Sequence, residues 1–163
     1  MAQPPYNLWR EIAALFRRDL TRLAQEVATF PTDETLWRTL PGVTNSAGNL
    51  VLHLEGNLCE YLGRQLAGVD YVRHRKQEFS LCGLSREELA ARIDALAQTI
   101  PAVLEALQPE DFAKMYPQQV FGKPITTGQF LIHLHGHFNW HMGQIDYLRR
   151  VLTEGGAIGL AQI

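Results

Sequence analysis

The sequence predicts an all-α protein, a four-helix bundle. Apolar residues recur at steps of three and four in four separate stretches. Two of those stretches open on capping boxes, Ser85-Arg86-Glu87-Glu88 and Thr126-Thr127-Gly128-Gln129. No segment carries the strict alternation of a half-buried strand. At 163 residues the chain is long enough to bury a full core as one domain, 1–163.

The first helix is expected from Tyr6 to Phe30. Leu8, Ile12, Leu15, Phe16, Leu20, Leu23, Val27 and Phe30 form its stripe, and Pro31 ends it. Thr32 to Leu40 read as a connection. Asn45 or Ser46 caps a second helix over about 47–67, stopped near Gly68, with Leu50, Leu54, Leu58, Tyr61, Leu62 and Leu66 inward. Beside that stripe lie His53, Asn49, Gly56, Asn57 and Glu60, a polar strip that suggests a lined cavity. Gly48 and Gly56 weaken the helix intrinsically, so close packing or room for a ligand is expected there.

Residues 69–84 show no helical period and read as a connection carrying Arg73, His74, Arg75 and Glu78. On spacing alone, Arg73, Arg75 and Glu78 read as a surface ion-pair cluster. The third helix starts at Ser85 and runs to about Leu107, and Pro101 inside it predicts a kink or a break. After a second long connection, in which Val120 and Phe121 could be briefly extended, the fourth helix runs from Thr126 to about Thr153. Gly155 and Gly156 end it, and the apolar last seven residues could fray or meet a partner chain. A 16-residue link can span roughly 53 Å when extended, more than the ~30 Å of a 20-residue helix. Helices two and three can therefore run parallel.

Composition narrows the function classes. Hydrophobic residues at 46% and charged residues at 20% suit a soluble globular chain. A net charge of −2 provides no basic field for nucleic acid. Cys59 and Cys82 make neither a disulfide framework nor a Cys-x-x-Cys site, which fits a reducing, cytoplasmic setting. No basic stretch followed by an apolar run suggests a signal peptide, and no apolar run approaches the ~20 residues of a membrane span. No Ser-His-Asp pattern, phosphate-binding loop or dinucleotide fingerprint is present.

The chemistry lies in the fourth helix, where His133, His135, His137 and His141 fall within nine residues. His137 and His141 are one helical turn apart and face the same way, the spacing by which one helix offers two imidazoles to one metal ion. Such pairs also arise by chance on solvated helices. His53 could complete a three-histidine set across the bundle, although a histidine taken singly is more often hydrogen-bonded in core or surface. His133 shares the face of His137 and is a reserve ligand, a supporting residue or surface. His135, about 200° round from His137, points away. Asn57 and Gln144 could each orient a ligand imidazole or simply pack helices. Trp140 could wall the cavity or be ordinary core or interface. His74 could approach the cavity mouth or be exposed. Cys59, about 240° from His53, is a poor ligand, and Cys82 is a lone loop thiol.

Three segments together resemble the DinB/YfiT-like superfamily of small bacterial metalloenzymes: Asn45-Ser46-Ala47-Gly48-Asn49-Leu50-Val51-Leu52-His53-Leu54-Glu55-Gly56-Asn57-Leu58, then Arg73-x-Arg75-x-x-Glu78-Phe79, then His137-x-x-x-His141-x-Gly143-Gln144-Ile145. The resemblance covers nearly the whole chain in order. It implies an up-down-down-up bundle, commonly a homodimer, with a divalent metal, zinc or nickel, on His53, His137 and His141. Relatives of the fold include S-transferases and isomerases that use low-molecular-weight thiols. Met142 stands where Arg is usual and Trp140 where His is frequent; both changes spare the three ligands.

The expectation is a metal-dependent transferase or hydrolase acting on a small-molecule substrate, with a slight preference for thiol transfer. Two rivals stand beside it. One is a non-catalytic dimeric bundle whose histidine cavity binds a ligand or is vestigial, and the other is a metal-buffering or stress-response protein.

Overall fold

The computed structural model describes residues 8–159. The predicted start of the first helix at Tyr6 and the final residues 160–163 lie outside the described residues. Four long helical segments form the bundle: α1 (Leu8–Ala28), α3 (Ala47–Leu58), α6 (Arg86–Ala106) and α7 (Thr127–Thr153). Three short helices join them: α2 (Asp33–Trp37), α4 (Gln65–Ala67) and α5 (Arg75–Ser80). Among the described residues there is no strand, only an isolated bridge between Met115 and Thr126.

Caps fix the starts of the helices. The side chains of Ser46, Ser85 and Thr126 each accept a hydrogen bond from the backbone N–H three residues on, at 3.2, 3.0 and 3.2 Å, satisfying a donor that would otherwise be orphaned. The apolar stripes then meet in one core. Phe16, Leu20, Leu23, Leu54, Leu58, Ile93, Leu104, Phe130 and Phe138 are all essentially inaccessible to solvent.

Side-chain contacts define the directions of the helices. Arg17 in α1 pairs with Glu105 at the end of α6 at 2.9 Å, while Arg86 at the start of α6 donates to Phe30 O just past α1. These two helices are antiparallel. Asp19 meets His135 and Glu26 meets Arg149, so α7 runs parallel to α1. Within the second helical segment, His53 faces His137 and the later Tyr61 packs on the earlier Phe130, so α3 opposes α7. Asn49 binds Leu81 O and Glu55 pairs with Arg92, so α3 and α6 point the same way. The order is up-down-down-up.

Several local expectations are corrected. Residues 32–40 contain the short helix α2, capped by Thr32, whose Trp37 indole N–H donates to Leu84 O at 2.8 Å. Gly48 lets that ring lie close, because a Cβ there would sit 2.6 Å from it. Residues 69–84 contain α5, held onto α3 by the Asn49 amide, which donates to the carbonyls of Glu78 and Leu81 at 3.1 and 3.0 Å. The second predicted helix is not uniform, since Cys59–Arg64 is π-helical. Pro101 does not break α6, which stays helical from Arg86 to Ala106 with the proline buried. Val120 and Phe121 form no strand. No described helix is long and apolar enough to cross a membrane.

Candidate metal centre

The distance between His53 and His137 in space follows from antiparallel packing. Each sits mid-helix, and α3 and α7 cross so that their imidazoles meet, ring centroids 5.3 Å apart. His141, one turn further along α7, comes within 5.1 Å of the His53 ring. The Nε2 atoms of His53 and His137 lie 3.2 Å apart. Each of the three histidines offers a ring nitrogen within 4.8 Å of the other two.

The other ring nitrogens are held from behind. His53 Nδ1 lies 2.8 Å from Glu78 Oε2, and His141 Nδ1 lies 2.8 Å from Gln144 Oε1. Both acceptors take an N–H, which fixes a proton on Nδ1 and leaves Nε2 as a lone pair facing the cavity. The Asn57 amide reaches Nε2 of both His53 and His137, at 3.0 and 3.1 Å. Two lone pairs thus converge on one donor.

Protonation follows from burial. Burial pushes the His137 imidazole down to about 4, helped by His141, His53 and His133 nearby. Burial also lowers His141, and the bond to Gln144 offsets part of that. At neutral pH His137 and His141 are neutral, the form that binds a metal. Glu78 is buried, which alone would raise its carboxyl. Hydrogen bonds from His53 and Arg73 outweigh burial and hold it below its ordinary value.

Glu78 and Arg73 are residues that the spacing of the sequence misassigned. They do not form a surface ion pair. Glu78 is 6% exposed and takes two bonds from Arg73, at 2.6 Å from Nε and 2.9 Å from Nη2. Gly56 makes room for this carboxylate, because a Cβ there would lie 2.3 Å from Glu78 Oε1. The conjunction of Arg73-x-x-x-x-Glu78 with a polar strip containing a helical glycine was the available signal. Arg75 is exposed and borders the cavity.

The remaining candidates separate cleanly. His133 is exposed, packs edge-on against Phe121 at 4.6 Å, and lies outside the three-histidine group. Trp140 is 70% exposed, so it walls no closed cavity and only edges a shallow surface with His133, His137 and His141. His135 points to the other flank, where its Nε2 lies 3.0 Å from Asp19. His74 is exposed. Burial pushes the Cys59 thiol up to about 11, which makes it unreactive.

The donor set fits a divalent ion. Two nitrogens each 2.0–2.1 Å from a tetrahedral zinc stand ~3.3 Å apart, and His53 and His137 already present 3.2 Å. An all-imidazole set suits zinc or nickel better than the oxygen-seeking calcium or magnesium.

Solved structures described as DinB-like proteins share this bundle fold. A DinB-like protein from Bacillus cereus ATCC 10987 matches with a TM-score of 0.63 at 22% identity, over 85% of this chain and 91% of that one. A DinB-like protein from Bacillus subtilis matches with a TM-score of 0.64 at 18% identity, over 96% and 99%. A conserved protein from Enterococcus faecalis matches with a TM-score of 0.65 at 16% identity, over 94% and 100%. At these identities the likeness is one of fold. Residues 7–161 match the family described as "Protein of unknown function (DUF1572)", and the chain belongs to that family. A comparison with curated proteins finds no match.

Proposed function

We propose that the protein is a metal-dependent enzyme in which His53, His137 and His141 hold one divalent ion, zinc or nickel, through Nε2. The observation that carries this reading is the 3.2 Å approach of two Nε2 atoms whose protons are elsewhere. Three protein ligands with open positions are the arrangement of catalytic rather than structural zinc sites. When bound, such an ion supplies Lewis acidity, lowering the pKa of a thiol or water and polarising a carbonyl.

The cavity in front of the histidines contains no Cys, Ser, Thr, Asp or Glu in its lining. The reading is therefore of a nucleophile that arrives from solution, as a low-molecular-weight thiol or as water. We favour the thiol: its sulfur forms a C–S bond to a small alkylating electrophile as the bond to the leaving group breaks. The leaving group departs with that electron pair, and the S–H proton passes to solvent. Glu78 keeps the His53 ring oriented, and Gln144 does the same for His141. Both cysteines are free, which supports a cytoplasmic setting.

The test is a product assay by mass spectrometry. Zinc- or nickel-loaded protein is mixed with cysteine or glutathione and a small alkylating electrophile, with a chromogenic ester as the hydrolysis arm. The expected result is thioether formation well above that of free metal ion and lost in His137→Ala. No acceleration in either arm would contradict the enzyme reading. One observation favours the rival in which a homodimer surface is the function. Ile132, Trp140, Tyr147 and Val151 form an apolar strip of α7 and are 62%, 70%, 66% and 61% exposed. On that reading, substitutions in this strip change cellular phenotypes and His141→Ala does not.

A further inference from the structure

The cavity beside the histidines has two arginines and no carboxylate in its lining. It offers about 190 Å³, and His53, Asn57, Tyr61, Arg73, Arg75, His133 and His137 form its polar lining. That volume is below the roughly 300–1,000 Å³ of sites for drug-sized ligands, so the occupant is small.

Its two arginines differ. Arg73 places Nε and Nη2 on Glu78, so its charge is matched. Arg75 has no hydrogen-bonded or ionic partner among the described residues. It stacks instead, with its guanidinium carbon 5.4 Å from the centroid of Phe79. Phe79 in turn packs on the His53 ring at 5.0 Å. Stacking engages the face of a guanidinium and leaves its in-plane N–H groups open. An unpaired arginine on open surface would mean nothing. This one is held by a ring that also supports a site histidine, and it borders a cavity whose lining has no carboxylate.

We propose that this cavity takes a small carboxylate-bearing substrate, with Arg75 receiving the carboxylate while the reacting end of the molecule faces His53 and His137. The planar fork of a guanidinium matches a carboxylate in two parallel hydrogen bonds. Tyr61 lines the same wall and brings a further hydroxyl. The histidine end of this assignment rests on the metal-enzyme reading, whereas the anion end requires only Arg75.

Calorimetric titration of zinc-loaded and metal-free protein with succinate, its uncharged diamide and inorganic phosphate tests the proposal. Succinate is expected to bind the zinc-loaded protein at least tenfold more tightly than the diamide or phosphate. Arg75→Ala is expected to weaken succinate tenfold or more, with partial recovery in Arg75→Lys and zinc content unchanged. The Arg75 dependence persists without metal. Succinate affinity within twofold of wild type in Arg75→Ala would overturn the proposal, as would equal binding of the diamide. Tighter, Arg75-dependent binding of phosphate would overturn the carboxylate assignment. Absence of zinc binding with Arg75-dependent succinate binding intact would defeat the metal reading and leave the anion site standing.

Discussion

His53 meets Glu78 on one flank of α7, and His135 meets Asp19 on the other, in bonds of 2.8 and 3.0 Å. Both carboxylates are buried, and each also has an arginine partner, Arg73 for Glu78 and Arg18 for Asp19. What differs is the remaining nitrogen. On the α1 side Nε2 of His135 is the atom at Asp19, and Asn139 donates to the same carboxylate at 2.9 Å, so the polar groups close on one another inside the helix interface. On the α3 side the carboxylate takes Nδ1 of His53, and Nε2 is turned toward two more imidazoles and a cavity. A histidine–carboxylate pair is therefore not a site in itself. It becomes one where a second, unprotonated nitrogen converges with others.

The largest expected effect separates the two flanks. His137→Ala should lower metal affinity by more than the roughly 10–100-fold cost of losing a supporting residue. His135→Ala should leave the affinity unchanged, and chelator competition on both variants checks this. His135→Ala should instead cost about 1–3 kcal/mol of stability, because buried Asp19 loses a partner.

Replacing the carboxylates sharpens the contrast. Glu78→Gln should weaken metal binding about 10–100-fold by freeing the His53 ring, and Asp19→Asn should not weaken it. Asp19 should appear in acid stability instead. Burial alone would raise its carboxyl, but bonds from His135, Arg18 and Asn139 hold it down at about 2 from an ordinary 3.8. The unfolded chain takes up that proton first as pH falls. The stabilisation is thus complete above pH 3.8 and is lost as pH falls through about 2. Denaturant titrations across that window should show a shallower loss in Asp19→Asn than in wild type.

Smaller effects come from the glycines. In Gly56→Ala the new methyl collides with Glu78, which Arg73 and His53 prevent from yielding freely. Metal affinity should drop by about tenfold, near the lower end of the range for disturbed supporting residues. Gly143→Ala meets nothing within 4 Å. It should leave metal binding alone and raise stability by up to about 1 kcal/mol, read from the denaturation midpoint.

The long helices were legible because their signals are local. A stripe at steps of three and four and a Ser or Thr cap act within a few residues, and the pairing of His137 with His141 is equally local. His53 was legible as a candidate from the polar strip around it, but its pairing with His137, 84 residues on, is non-local, and the resemblance is what implied the ligand set. The Glu78–His53 bond was hidden for a related reason. The six residues of α5 are too few to show a period, and what holds them is the Asn49 amide on another helix. The π-helical turn at Cys59–Arg64 is a change of backbone register that residue types do not announce. At Pro101 a kink or a break was expected and no break occurs: the missing N–H is local, but the ring is buried in a helix tied at one end to Arg17 of α1 and at the other to Phe30 just past it.

The central claim is that His53, His137 and His141 bind one divalent ion. Elemental analysis of protein purified without a metal-affinity column, alongside His53→Ala prepared in the same way, tests it most directly. The account predicts close to one equivalent of zinc or nickel per chain in wild type and less than a tenth in the variant. Less than a tenth in wild type, or an unchanged content in His53→Ala, would contradict it.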